Sequence, residues 1–238
     1  VQDEMGNYRE VFPEKGVAFT LAPAEGGSPS DSVVQIVAET VKSEYFLLRA
    51  EQALQTNLTH ARDDAEHALL HDADAPGARW ILAQTNLAVG DLDAARRHVV
   101  QAIKLNDAAP QFHLTLIETL IQAGEIEAAQ RFFDAVEDSF AEHPLYQVKG
   151  ICLASRLRRE SAEPDYDAAI ALGQRALTAL ENIASANPAP EVFLAAKQLE
   201  MEANLDVALA VAKKDWKNAE DRAKAFDWLA AADAVAQN

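Results

Sequence analysis

Two histidines four residues apart are the clearest candidates for chemistry in this sequence. His67 and His71 would lie on one face of a helix, with Asp63 and Asp74 close to them in the chain. Such a pair can hold zinc when a third ligand comes from elsewhere in the fold. The signature of a metalloprotease also needs a glutamate directly after the first histidine, and Ala68 occupies that place. We therefore interpret both histidines as solvated or packed side chains and predict no metal site.

Other signatures of catalysis are missing from the sequence as well. It has no Gly-x-Ser-x-Gly elbow, no Cys-x-x-Cys pair and no glycine-rich loop that could hold a phosphate. Cys152 is the only cysteine, so an intrachain disulfide is impossible, and its apolar neighbours Ile151 and Leu153 predict a small buried side chain. The sequence therefore predicts a protein that is not an enzyme and that needs no cofactor.

The charge balance excludes whole classes of partner. The chain has 38 acidic and 21 basic residues, a net charge of −17, and no long basic run. Nucleic acid is held mainly by Lys and Arg, so we expect no nucleic-acid partner. No apolar stretch reaches the length of about 18 residues that a membrane span needs. Because the chain begins at Val1 without a methionine, we expect that a signal, an anchor or a further domain could precede it, and the compartment stays undetermined.

Three sets of residues recur at intervals of 34 positions. Gly90 and Gly124 are each followed by an acid, a large aliphatic residue, a second acid and two alanines. The other two sets are Pro76, Pro110 and Pro144, and Ala61, Ala95 and Ala129. Each unit of this length predicts a helical hairpin whose apolar faces require a neighbouring hairpin, with alanine where two helices approach most closely.

This 34-residue pattern resembles the tetratricopeptide repeat. Leu82 and Ala83 match the large and small pair of the first helix, while Ala95 and Ala102 match the two small positions of the second. The first unit departs from the family pattern, because Thr56 replaces the turn glycine. The resemblance implies an all-α, right-handed superhelical solenoid of about four to five helix-turn-helix repeats.

The repeats divide the chain into two predicted parts, an irregular arm at residues 1–30 and a solenoid at 31–238. Residues 17–21 of the arm favour a short extended segment, and a helix is expected to begin around Ser30 to Ser32. The fourth unit contains an insertion, which we place between its two helices at 156–164. The predicted repeats are 42–75, 76–109, 110–143, 144–181 and a degenerate unit at 189–236.

The resemblance also implies a concave groove lined by the first helix of each unit. Some family members clamp a carboxylate there with Lys and Asn, but Trp80 and Leu114 occupy the corresponding places in this chain. The groove is therefore predicted to be apolar with a few amides, which suits an apolar helix or an extended segment. The candidate partner-binding residues are Phe46, Trp80, Gln84, Leu87, Leu114, Glu118, Ile121, Gln122 and Arg156.

These observations predict a scaffold or adaptor that binds a segment of a partner protein or peptide in its concave apolar groove. One alternative is a non-catalytic regulatory or targeting domain of a larger enzyme whose catalytic part precedes residue 1. A weaker alternative is a pocket for a small ligand or lipid. The basic run at Arg156, Arg158 and Arg159 offers a second surface for an acidic partner. The C-terminal helix is expected to cap the solenoid, and to support a weak homodimer if both of its sides are apolar.

Overall fold

The computed structural model describes residues 8–11, 18–21, 31–215 and 218–236, with side chains from residue 42 onward. Ten α-helices and one short 3-10 helix fall in these ranges. Two consecutive helices fall mostly within each predicted repeat, although α1 begins before the first of them. The helices are α1 (Asp31–Ala53), α2 (Leu58–His71), α3 (Pro76–Ala88), α4 (Leu92–Leu105), α5 (Pro110–Gln122), α6 (Ile126–Val136), α7 (Pro144–Glu160), α8 (Tyr166–Ser185), α9 (Pro190–Asp215) and α10 (Ala219–Ala236), with the 3-10 helix at Glu137–Phe140.

A short antiparallel β-hairpin precedes the helices. Strand β1 (Tyr8–Val11) pairs with strand β2 (Ala18–Leu21), and Tyr8 lies opposite Leu21. The extended segment expected at 17–21 is confirmed by β2, whereas β1 was not predicted from its mixed polar and apolar residues. The remainder of the predicted arm lies outside the described residues.

The chain divides into two compact units, at residues 1–81 and 82–238. In the first unit, α1 packs against α2 and begins at Asp31, well before the predicted repeat at 42–75. Asn57 caps α2, because its side-chain oxygen accepts a hydrogen bond of 3.1 Å from the His60 amide. Ser43 joins the two helices by donating its hydroxyl to the Ala68 carbonyl at 3.0 Å.

In the second unit the hairpins pack in sequence. Helix α5 contacts α4, α6 and α7, helix α7 contacts α8 and α9, and helix α9 contacts α8 and α10. The first helices α5, α7 and α9 thus lie side by side, as the stacking of helical repeats requires. None of the helices described combines the length and apolar character needed to cross a bilayer.

The turns explain why glycine is followed by an acid in the repeat. Gly90 and Gly124 have φ angles of +81° and +75°, a conformation that only glycine adopts without strain. The Gly90 amide donates to Leu87 and the Asp91 amide donates to Asn86, which together close the helix in a Schellman motif. Asp91 then caps the next helix, since its carboxylate accepts from the Ala94 amide at 3.0 Å.

The insertion of the fourth unit is largely helical, which corrects the prediction that it lies between two helices. Helix α7 continues to Glu160, and α8 begins at Tyr166. Leu153 and Leu157, four residues apart, are both buried and extend the apolar face of α7 into the inserted segment. An added helical turn buries apolar surface that an irregular loop would have left in water.

Alanines at the helix contacts set the stability of the stack. Ala129 is fully buried among Ile117, Phe133 and Leu153, whereas its neighbour Ala128 is only partly buried. Replacing Ala129 with Leu should lower the free energy of unfolding by about 1–3 kcal/mol because the larger side chain overpacks this contact. Ala128→Leu is the matched control and should lower the free energy of unfolding by a smaller amount. Urea denaturation of both variants measures the difference, and equal losses would contradict the assigned helix faces.

Candidate functional site

A cleft in the second unit lies beside α5, α7 and α9 and has a volume of about 560 Å³. Apolar side chains from α5, α6 and α9 form part of its wall, and charged side chains from α7 and α9 form the rest. Three consecutive hairpins therefore contribute to the walls of the cleft. Its lining residues are Ile121, Gly124, Ile126, Arg156, Arg159, Glu160, Leu205, Asp206 and Leu209.

Asp206 is the buried centre of the charged wall. Its side chain is only 4% exposed, yet two arginines of α7 reach it. Arg156 donates its Nε to both carboxylate oxygens, at 3.1 and 2.8 Å. Arg159 donates its Nη1 to the same carboxylate at 3.0 Å and to the Asp206 carbonyl at 3.1 Å. These charge-assisted bonds fasten α7 to α9.

More ion pairs surround this centre and neutralise it. Arg156 also contacts Glu118 of α5 and Glu202 of α9, both at 3.4 Å. Lys149 lies 2.7 Å from Glu202 and 3.7 Å from Glu118. On the other side, Glu160 contacts both Arg159 at 2.9 Å and Lys213 at 2.8 Å. The four acids and four bases of this network, which we name the charge clasp, cancel in formal charge. They are Glu118, Lys149, Arg156, Arg159, Glu160, Glu202, Asp206 and Lys213.

The clasp shifts the pKa of several of its members towards their charged forms. Burial opposes the charge on Arg156, but the Asp206 carboxylate outweighs this and raises the pKa of the guanidinium. Burial likewise opposes the charge on Glu160, and hydrogen bonds from Lys213 and Arg159 outweigh it and lower the pKa of that carboxyl. Both groups therefore remain ionised near neutral pH.

An exposed apolar strip on α9 continues from the cleft. Leu194, Met201, Leu205 and Leu209 follow each other at intervals of seven, four and four residues, which places them on one face of the helix. All four are exposed, and Leu205 and Leu209 also line the cleft. This strip was not predicted from the sequence because the fifth repeat unit has diverged from the others. Counted from Pro190, Leu194 and Met201 occupy two of the places that the family resemblance predicts to face the groove in the other units.

Two of the predicted site residues belong to the first unit. Phe46 is half-buried and stacks on His67 and His71, with ring centroids 5.2 and 5.8 Å apart. Both histidines of the pair thus pack on an aromatic ring. The described residues contain no group of three side chains arranged as metal ligands. Trp80 is half-buried on α3.

The other predicted site residues lie in the second unit and differ in exposure. Leu87 and Leu114 are buried, and Gln84 donates its amide to the Thr115 hydroxyl at 2.7 Å. Gln122 is exposed at the end of α5. Of the remaining three, Ile121 and Arg156 line the cleft, and Glu118 contacts Arg156 at 3.4 Å.

The surface predicted for an acidic partner is largely neutralised. Arg156 and Arg159 point their guanidinium groups at internal carboxylates, as the clasp requires. Of the three arginines in the run, only Arg158 is exposed. The structure therefore contradicts a cationic patch at this position.

Stacked helical hairpins, with their first helices side by side along a cleft, define an α-helical repeat protein. Residues 86–149 match the tetratricopeptide repeat family. This segment of the chain therefore has the tetratricopeptide-repeat pattern. The family match confirms the resemblance found in the 34-residue spacing, and it covers the second and third predicted repeats most directly. Comparison with curated protein sequences gave no match.

One solved structure shares this fold at low sequence identity, and two others are similar with TM-scores below 0.5. A mutant O-GlcNAc transferase of Thermobaculum terrenum is 15% identical, with a TM-score of 0.51 over 65% of this chain, and the chain spans only 27% of its length. MamA is 14% identical with a TM-score of 0.48, covering 79% of this chain and 93% of MamA. YrrB, a TPR protein with an unusual peptide-binding site, is 13% identical with a TM-score of 0.42, covering 88% and 95%.

Removing the centre of the charge clasp should destabilise the second unit strongly. In Asp206→Ala, Arg156 and Arg159 lose their buried counter-charge, which costs about 3–5 kcal/mol when one member of a buried pair is deleted. Asp167→Ala is the control, because Asp167 is exposed and pairs with Lys214 at the surface. Thermal unfolding followed by circular dichroism compares the two. A loss in Asp206→Ala no larger than that of the control would show that α7 and α9 do not depend on this carboxylate.

Cys152 provides a second test of the packing between α7 and α9. Its thiol is buried, and burial raises its pKa to about 12. A free cysteine, with a pKa of about 8.5, is partly ionised at pH 8, whereas Cys152 should remain protonated until the pH approaches its raised pKa. We expect a disulfide reagent to label the native chain at pH 8 far more slowly than the urea-unfolded chain. Equal labelling rates would mean that this contact is open in solution.

Proposed function

We propose that this chain is a non-catalytic protein-interaction scaffold that holds an apolar segment of a partner protein across the cleft. The observation that carries the proposal is the exposed apolar strip of α9 beside a cleft bounded by three hairpins. Exposed apolar patches of this kind mark interaction sites in proteins that otherwise cover such residues.

The dimensions of the strip suit a helical partner segment. Leu194 and Leu209 are fifteen residues apart, and at 1.5 Å per residue the strip is about 22 Å long. That length matches about four turns of a helix, which would place apolar side chains at intervals of three and four residues against it. The cleft at one end accommodates a large side chain of the partner between Ile121 and Leu209.

The charge clasp favours apolar recognition over ionic recognition. Its acids and bases are already paired with each other, so a charged partner group would have to break an existing ion pair. Apolar contact has no such cost. We propose that Ile121 and Gln122 contact the partner, while the ion pair of Glu118 and Arg156 supports the surface beneath it.

The other candidate residues stay predictions. Phe46 and Trp80 in the first unit, and Gln84 in the second, are half-buried and retain exposed surface for a partner. The alternative of a non-catalytic domain within a larger enzyme also stays a prediction. Such a domain would bind its partner segment in the same cleft, so peptide selection tests the scaffold and this alternative together.

The proposal is tested by selecting peptides from a random display library against the purified chain. We expect the enriched peptides to carry large apolar residues at helical spacing. The double variant Ile121→Ser/Leu209→Ser should bind them at least about 30-fold more weakly, because a few large side chains dominate such interfaces at about 2 kcal/mol or more. Fluorescence anisotropy with one enriched peptide measures the change.

Leu70→Ser is the matched control, since Leu70 is an exposed leucine of α2 in the first unit. It should leave the Kd unchanged, and circular dichroism should show that all variants keep their helices. Failure to enrich any peptide, or equal binding by the double variant and the wild type, would contradict the proposed site.

A further inference from the structure

Helix α10 has a second apolar face beyond the one that packs on α9. Ala225 and Ala232 are buried and Trp228 is partly buried against the preceding helix. Phe226 and Leu229 lie outside this contact with α9, and their exposed fractions are 59% and 40%. Exposed apolar side chains thus lie on α10 away from its contact with α9, and a homodimer was expected only if both sides of this helix are apolar.

The exposed face of α10 has the spacing of a coiled-coil seam. Its members follow each other at alternating intervals of three and four residues, so they form a continuous stripe along the helix. In the folded chain Arg222 is half-buried and the other five members are exposed. The seam consists of Ala219, Arg222, Phe226, Leu229, Asp233 and Ala236.

This seam is complementary to itself when two copies run antiparallel. With a two-fold axis between Phe226 and Leu229, each Phe226 faces Leu229 of the second copy. Arg222 then faces Asp233 of that copy, and the alanines at the two ends of the seam face each other. A parallel pairing would instead place arginine against arginine and aspartate against aspartate, which opposes association.

We propose that the chain forms an antiparallel homodimer through this face of α10. A two-fold axis makes every contact occur twice, so the dimer contains two Arg222–Asp233 pairs and two Phe226–Leu229 contacts. Arg222, Phe226 and Asp233 also have interactions inside the chain, and the dimer requires only that they stay at the surface. The strip on α9 belongs to a different helix, so dimerisation is independent of the cleft.

Charge reversal tests the pairing directly. Arg222→Asp places two aspartates opposite each other, and Asp233→Arg places two arginines opposite each other. Each variant alone should dimerise about tenfold more weakly or worse, because attraction becomes repulsion at both pairs. An equimolar mixture restores an arginine opposite an aspartate at both places. It should therefore form a heterodimer with the affinity of the wild type.

The controls match the charge changes away from the seam. Lys224 and Glu220 are exposed and pair with each other on another face of α10. Lys224→Asp and Glu220→Arg repeat the two reversals, and they should leave the dimer Kd near that of the wild type. Leu194→Ser, on the α9 strip, should also leave it unchanged.

Sedimentation equilibrium of each protein and of the mixture measures the Kd, and circular dichroism checks that the variants are folded. We expect a reversible monomer–dimer equilibrium for the wild type. A wild type that stays monomeric at the highest soluble concentration would overturn the proposal. So would a mixture that associates no more tightly than its separate components.

Discussion

A helical hairpin has more apolar surface than its two helices can hide from each other, so each hairpin depends on the next one. In this chain neighbouring hairpins pack together at sites where only a small side chain fits. Ala95 and Ala129 are two such sites, and neither has any exposed surface. At Ala129, close approach of the helices lets large residues such as Ile117 and Leu153 pack around the small side chain. The positions of the cleft residues follow from the order in which the hairpins stack.

Features that depend on local spacing could be predicted from the sequence. The helical hairpins and the turn at Gly90 each involve residues that are close together in the chain. The charge clasp could not be predicted in this way, because Arg156 and Asp206 are fifty residues apart and meet only when α7 packs on α9. The added turn of α7 was missed for a related reason. Its arginines look like a solvated loop until their buried partners are known.

Buried ion pairs are a costly way to join two helices, because both charges must leave water. Apolar residues would join α7 to α9 at least as firmly, so the clasp contributes something other than bulk stability. Asp206 accepts hydrogen bonds from two arginines one helical turn apart, Arg156 and Arg159, and this fork fits only one relative position of the helices. We therefore interpret the clasp as the device that fixes the register of the two helices and, with it, the shape of the cleft.

For the proposed binding of a partner at the strip, the neutrality of the clasp separates long-range attraction from contact. Because its four acids and four bases cancel, the net charge of −17 is carried by the rest of the chain. A field of that sign draws basic partners from a distance, and salt screens it over about 10 Å at 0.1 M. The apolar strip, in contrast, acts only on contact. Salt should therefore slow the arrival of a basic partner while its residence time on the strip stays nearly the same.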